Sequence, residues 1–507
     1  MSNGDDAGER PEWKRRYLRN TISSYLNTAV RLIVGLIVFR AFFSTWEDAE
    51  FGFWALLWSV FGIGVLLDFG LGLTVQKTVA QRREKGDIEG ISRLVATVFW
   101  SFVGIATALL IAALLAENFF MQFTKVPAEY EAEFRQAYRI FFCGMAVMFP
   151  LGIFMEMLNG LQRIDIGNGL KIGNTLIHGT CILIALHSGW GIVPIMLLTV
   201  LLSFTPNIVA GIVAFRIIGG GVSLSPKHYD FSALKAQLGF SLIAYLIIFG
   251  NLILTKTDQL VIAGVLGVIA VKTYQGGFKV GEMLGMFGSQ IESAISPAAA
   301  QLSAKGDQKG LTELLLRTTR FMFMMVTPAY LAAAIYLEPL IRLLTDLDTV
   351  PLPTYLTGQF ILLVIYNLAI TASCGRRVLV MSGHEKRLLA ITGGHAICNL
   401  ALSIILAHTY DVAGVALATL ISSLVFGWAF FVPALIKFTG VGAASYLSNY
   451  LQDTWKGLAA FGVSAGAIHL LAPIPEDSGF VALAWRGTIV IGVAMLANQR
   501  ELRATWR

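Results

Sequence analysis

Apolar runs about twenty residues long, the length of a helix that crosses a bilayer core, recur about fourteen times in this chain. They lie near 19–43, 51–75, 94–116, 137–160, 169–187, 192–216, 236–263, 271–295, 314–337, 355–379, 388–408, 412–436, 454–472 and 479–498. Lipid offers the backbone no hydrogen bonds, so such runs must satisfy themselves as helices. The expectation is an all-α polytopic membrane protein of about fourteen transmembrane helices. With 56% hydrophobic and only 14% charged residues over 507 positions, little chain remains for anything else. No segment outside the runs is long enough for a separate catalytic domain, so an enzyme is not expected.

The charged loops set the orientation. Lys14, Arg15, Arg16 and Arg19 precede the first run without a cleavage site for a signal peptide. Arg82, Arg83, Lys85, Arg163, Lys227, Lys305, Lys309, Arg376, Arg377, Lys386, Arg387, Lys437, Arg500 and Arg503 then fall on the same side as that N-terminus. Glu47, Asp48, Glu50, Glu129, Glu133, Asp346, Asp348, Glu476 and Asp477 fall on the other. By the positive-inside rule both termini are expected in the cytoplasm. Topology thus accounts for the net charge of +6; no basic cluster interleaved with aromatics suggests nucleic acid. Cys143, Cys181, Cys374 and Cys398 all sit in apolar runs as small core residues, with no disulfide or metal site expected.

An internal repeat divides the chain. Ala80, Gln81, Lys85, Gly86, Asp87, Gly90 and Leu94 reappear at one constant offset as Ala300, Gln301, Lys305, Gly306, Asp307, Gly310 and Leu314. A weaker echo aligns Leu158–Arg163 with Met381–Lys386. Both copies fall on the cytoplasmic side, after the second and eighth helices, so the repeat unit is six helices and the halves are parallel repeats, a transporter architecture. The implied organisation is a cytoplasmic segment 1–18, a six-helix bundle 19–217, a cytoplasmic linker 218–235, a second six-helix bundle 236–437, and an accessory helix pair with a cytoplasmic tail over 438–507.

Charges inside the runs point to the site, because an ionised side chain at mid-bilayer costs roughly 3 kcal/mol and so faces protein or a wet cavity. Lys256 and Asp258 in the seventh helix, and Lys272, Lys279 and Glu282 in the eighth, are such charges, with Gln259, Tyr274 and Gln275 beside them. Lys272 and Lys279 share a side and suit an anionic substrate; a Lys279–Glu282 pair within the helix is the alternative. Asn20, Ser24, Asn27 and Arg31 line one face of the first helix. Interhelical hydrogen bonding suits the small residues better, whereas Arg31 suits a cavity that binds phosphate. Asp68, beside Gly70 and Gly72, suits either a coupling ion or a pairing with Arg31. Gly277, Gly281 and Gly285 form a flat row for close helix packing. No phosphate-binding Gly-x-x-x-x-Gly-Lys-Ser/Thr loop, His-Glu-x-x-His helix or Gly-x-Ser-x-Gly elbow occurs, so neither ATP drive from this chain nor a cofactor is expected.

Glu50–Leu56, Leu67–Gly72, Thr257–Ile262 leading to Leu266–Gly267 and Tyr274, and Ser296–Pro297 to Gly306–Asp307, taken in order, resemble the polysaccharide flippases of the multidrug/oligosaccharidyl-lipid/polysaccharide (MOP) exporter superfamily. The resemblance spans roughly Arg19 to Lys437. It implies two six-helix bundles around a cavity open alternately to either side of the bacterial inner membrane. It further implies an undecaprenyl-pyrophosphate-linked oligosaccharide as substrate, a proton or sodium ion as driver, and other polysaccharide-assembly proteins as partners. A drug exporter of the MATE type and a lipid II flippase are the nearest alternatives. A membrane polysaccharide polymerase would need a periplasmic catalytic loop that the sequence lacks.

Overall fold

The computed structural model describes residues 12–64, 71–232, 256–451, 454–471 and 480–500, together with positions 250 and 254. Every regular element among them is helical. In chain order these are α1 (Glu12–Thr45), α2 (Asp48–Gly64), α3 (Leu71–Glu84), α4 (Ile88–Phe123), α5 (Glu131–Leu151), α6 (Ile153–Gly160), α7 (Ile164–His187) and α8 (Ile192–Ile218). A helical stretch 256–265 follows, then α9 (Ala270–Ala304), α10 (Gln308–Ile335), α11 (Leu337–Thr345), α12 (Leu352–Leu368), α13 (Cys374–Met381) and α14 (Glu385–Val425). The last elements are α15 (Val432–Thr439), α16 (Ala443–Leu451), α17 (Trp455–Leu471) and α18 (Phe480–Ala497). Among the described residues seven helices are long and apolar enough to cross a membrane, or eight if α10 and α11, bent by 72°, form one span. The 55-residue stretch Glu385–Thr439 counts there as one. It breaks at Tyr410–Asp411, where Asp411 has φ 56°, between the two runs read from sequence. The chain is a multi-pass helical membrane protein.

Two compact units emerge. The first comprises 1–46, 64–122 and 126–245; the second comprises 47–63, 123–125 and 246–507, so α2 belongs with the later helices. In the first unit α3, α4, α6 and α8 share a core of Leu71, Val75, Ile91, Val95, Phe102, Ile153, Met157, Leu158 and Ala210. Gln76 of α3 donates to Glu156 of α6. A Cβ on Gly160 would meet the Gln76 backbone, so the two helices touch there.

In the second unit α9 lies along α12 on the expected glycine row. A Cβ at Gly277 would come within 2.6 Å of the Gly358 nitrogen, one at Gly281 within 2.5 Å of Ile361 Cγ2, and one at Gly285 within 3.4 Å of Ile365 Cδ1. Removing the side chains is what lets the backbones approach. The accessory helices α17 and α18 bury Phe461, Val490 and Ala494 against Ala332 of α10. Helices α12 and α14 each end in a π-helical segment, Ala369–Ser373 and Phe426–Phe431, before α13 and α15 continue.

The repeated turns have one geometry. Gly86 and Gly306 adopt φ 68° and 67°, the left-handed region that glycine enters without strain. Asp87 Oδ1 accepts from Gly90 N at 2.8 Å and Asp307 Oδ1 from Gly310 N at 2.9 Å, capping the next helix. The weaker echo is also a shared turn, but its register differs by two residues from the alignment on Gly160 and Gly383. Arg163 N donates to Leu158 O at 3.0 Å and His384 N to Leu379 O at 2.9 Å, with Gln162 (φ 57°) standing where Gly383 (φ 80°) stands. The sequence pairing matched two glycines with different jobs, one for close approach and one for a positive φ.

Candidate functional site

A cavity of about 440 Å³ opens inside the second unit, between the 256–265 stretch, α9, α12, α13 and α14. Its charged lining is Lys256, Asp258, Glu282, Glu292 and Arg376; His395, Thr419, Phe278 and Phe426 complete the wall. The two π-helical segments place Ala372, Ser373, Phe426 and Gly427 on it. They are fastened to each other by Asn367, whose amide donates to Ser423 O at 2.8 Å and accepts from Trp428 Nε1 at 2.9 Å. Gly427 makes room for this, since a Cβ there would lie 2.9 Å from Thr371 Oγ1.

Two of the acids are already neutralised by partners. Glu282 accepts from Lys279 Nζ at 2.7 Å, one helical turn away, and Glu292 pairs with Arg377 at 3.3 Å. Asp258 differs. It is 3% exposed, its Oδ2 accepts from Tyr274 Oη at 2.9 Å and from Thr419 Oγ1 at 3.0 Å, and its Oδ1 has no hydrogen-bond partner among the described residues. Thr419 owns a single proton and also lies 3.1 Å from Val415 O, so its donation to Asp258 is shared. Asn399 Nδ2 in turn donates to Thr419 Oγ1 at 2.8 Å. Lys256 lines the cavity with its stem along Gly62 of α2, 3.6 Å from where a Cβ would stand, and forms no ion pair among the described residues. His395 stacks on Phe426 with ring centroids 5.3 Å apart, and its Nε2 also lacks a partner among the described residues.

The residues singled out in the sequence are thus distributed. Asp258, Lys256 and Glu282 line the cavity, and Tyr274 supports Asp258 from behind. Lys279 is the intrahelical partner of Glu282. Lys272 pairs with Asp48 at 3.0 Å and lies 6.0 Å from the Phe51 ring centroid. Gln259 accepts from Ser59, fastening 256–265 to α2. Gln275 is half-buried and does not line the cavity. In the first unit Asn20 and Ser24 hold α1 to α7: Asp165 N donates to Asn20 Oδ1 at 3.1 Å, and Asn168 Nδ2 donates to Ser24 Oγ at 3.0 Å. Asn27 is half-buried and Arg31 exposed on the same helix. Asp68 lies outside the described residues. Sequence reasoning missed His395, Thr419, Phe426 and the cavity position of Arg376. Only Arg376 carried a signal, and its loop-side position read as orientation rather than chemistry.

With this geometry in hand, comparisons narrow the class. Residues 169–346 match the family model described as "Polysaccharide biosynthesis protein". No curated protein matches the chain. Among solved structures, the lipid II flippase MurJ in an inward closed conformation superposes with a TM-score of 0.70 at 15% identity, over 95% of this chain and 99% of its own. An inward-facing MATE-family multidrug transporter of the MOP superfamily gives 0.67 at 14% identity, over 84% and 98%. A MOP-superfamily transporter from Pyrococcus furiosus, whose binding pocket is described as of reverse polarity, gives 0.56 at 15% identity, over 84% and 96%. At such identities the likeness is one of fold: the chain has the fold of MurJ and the MATE transporters.

Proposed function

We propose that this chain is a secondary transporter that carries an undecaprenyl-pyrophosphate-linked oligosaccharide from the cytoplasmic to the periplasmic leaflet for polysaccharide assembly, by alternating access coupled to a proton or sodium gradient. The observation that carries the reading is Asp258, a buried carboxylate on the wall of a cavity that also holds Lys256, with one oxygen of the acid and the ammonium both lacking a partner among the described residues. A carboxylate left with so few donors is completed by a proton or a bound cation, which is what a coupling site needs. Lys256 supplies a positive charge for a phosphate in a medium where water competes weakly. The polysaccharide-biosynthesis match over 169–346 supports the glycan-carrying substrate class. In this reading both termini are cytoplasmic, and Arg31 and Asp68 serve the substrate and the ion from the first half of the chain.

A second reading, lipid II as the substrate, draws on the reach of the MurJ superposition, 95% of this chain against 84% for the MATE structure. Both readings involve a polyprenyl-pyrophosphate sugar and differ in the glycan. Liposomes holding the purified chain and a fluorescent lipid-linked oligosaccharide or lipid II, with and without an imposed proton or sodium gradient, separate them. Gradient-dependent loss of the oligosaccharide lipid from the reagent-accessible leaflet, abolished in Asp258→Asn and slowed in Lys256→Ala, is the expected result. Movement of lipid II alone selects the second reading, and movement of cationic dyes with neither lipid overturns both.

A further inference from the structure

A second pocket, of about 320 Å³, opens at the end of the second unit where α10 and α14 begin and α13 and α15 end. Its lining is Gln308, Leu379, His384, Arg387, Ala434, Lys437 and Phe438. Three of these residues are basic and none is acidic, and neither Arg387 nor Lys437 forms an ion pair among the described residues. The surrounding wall is built rather than incidental. Gln308 Nε2 donates to Phe438 O at 3.0 Å, tying α10 to α15. The His384 ring meets Phe438 edge to face at 5.2 Å, and its Nδ1 lies 3.0 Å from Ser382 O, so the imidazole is held in place on both sides.

The start of α14 adds to the positive field. His384 is its N-cap residue and provides no side-chain hydrogen bond, so the helix presents its positive end beside Arg387, offset in the same turn by Glu385, which does not line the pocket. Beneath it Leu379 and Ala434 are buried, each 1% exposed, and the half-buried Phe438 ring is the apolar group that remains partly open on the wall. A basic pocket with an aromatic wall, at the level where spanning helices end, lies where the headgroup phosphates of a bilayer lie and suits a phosphate carried by a lipid.

We propose that this pocket binds the headgroup phosphate of an anionic phospholipid, clasped by Arg387 and Lys437 with His384 beside them. The site is independent of the transport cavity, and its occupant would tie together α10, α13, α14 and α15, three of which also carry cavity-lining residues or their supports. In the orientation proposed above it faces the cytoplasmic leaflet.

The test is native mass spectrometry of the delipidated full chain titrated with phosphatidylglycerol, phosphatidylcholine or inorganic phosphate. The native chain is expected to retain phosphatidylglycerol in preference to phosphatidylcholine. The Arg387→Gln/Lys437→Gln double variant should weaken that retention about ten-fold or more, while Lys437→Arg preserves it. Lys309→Gln, which removes an exposed lysine of the same end outside the pocket, should leave it unchanged. Equal retention of both lipids by the native chain overturns the proposal, as does an equal loss from Lys309→Gln, which would mean diffuse surface attraction. Retention of inorganic phosphate by the native chain with no preference for phosphatidylglycerol over phosphatidylcholine would assign the pocket to a free phosphate and refute the lipid.

Discussion

The Tyr274 hydroxyl donates to Asp258 Oδ2 across 2.9 Å, joining the base of α9 to the 256–265 stretch through a tight turn at Gly267, which takes φ 103°. Tyr274 is 1% exposed, so the bond is shielded from water. Tyr274→Phe keeps the ring in place and leaves Asp258, among the described residues, with only the proton it shares through Thr419. The loss should cost about 1–3 kcal/mol, visible as a lower unfolding midpoint in detergent. In the liposome assay the ion concentration for half-maximal transport should shift while the rate at saturating ion is retained. An unchanged ion dependence would separate Asp258 from coupling.

The two lysines that the sequence placed on one side of the eighth helix should behave unlike Lys256. Lys272, itself 12% exposed, is held by Asp48, which is 63% exposed, and a pair open to water on the acid's side contributes about 1 kcal/mol. Lys272→Ala is therefore expected to leave glycolipid transport within about two-fold of the native rate. Lys256→Ala should slow it by about ten-fold with no matching drop in unfolding midpoint, because its ammonium leaves no partner stranded among the described residues. Initial rates in liposomes, set beside thermal unfolding of the same preparations, check both. Equal effects of the two variants would refute the assignment of Lys256.

What was legible in the sequence was whatever depends on local pattern. Apolar length gave the helices, the spacing of Gly277, Gly281 and Gly285 gave a contact face, and Lys-Gly-Asp gave a turn whose two copies share the glycine conformation and the aspartate cap. Pairing between distant residues was not legible. Thr419 stands 161 positions from Asp258, and nothing in its own surroundings marks it as a hydrogen-bond donor to a buried acid. The same blindness affected Gln259, which reads as a cavity residue beside Asp258 and instead spends its amide on Ser59, 200 positions away. Helical period places a side chain on a face, but the identity of the facing helix comes only with the fold.

The glycine row separates packing from function. At Gly277 even a methyl group runs into the α12 backbone at Gly358, which cannot rotate away. Gly277→Ala is expected to cost about 1–3 kcal/mol through overpacking, and Gly281→Leu more, seen as lost monodisperse protein by size-exclusion chromatography. Gly288 lies on the same helix with nothing within 4 Å of an added Cβ. Gly288→Ala should fold normally, and slightly better by helix propensity. If Gly277→Ala were as stable as the native chain, the close approach of α9 and α12 would be refuted.

The repeat makes a paired prediction. Asp87→Ala and Asp307→Ala each remove one cap, from Gly90 N and Gly310 N respectively, and each should destabilise by about 1 kcal/mol. Each cap closes within its own unit, so the double variant should show the sum. A coupling well beyond about 0.5 kcal/mol in thermal or denaturant unfolding would show that the two turns are not independent elements.

Glu117 supplies a last test, in a part of the chain that composition did not single out. It is 6% exposed near the end of α4, and its two oxygens are held by Arg135 Nη1 at 3.0 Å and by Arg139 Nε at 2.8 Å and Nη2 at 2.9 Å. The cluster clamps α4 to α5. Arg135 keeps a second acid, Glu131 at 2.7 Å, whereas Arg139 is 60% exposed and can turn to water. Removing the carboxylate therefore strands no buried cation, and Glu117→Gln should cost about 2 kcal/mol, below the range for a fully buried pair. Removing Arg135 and Arg139 together leaves Glu117 buried and unpaired, so that variant should be markedly less stable than Glu117→Gln. Unfolding midpoints in one detergent decide it: the reverse order would mean that the arginines, not the acid, are the costly groups to bury.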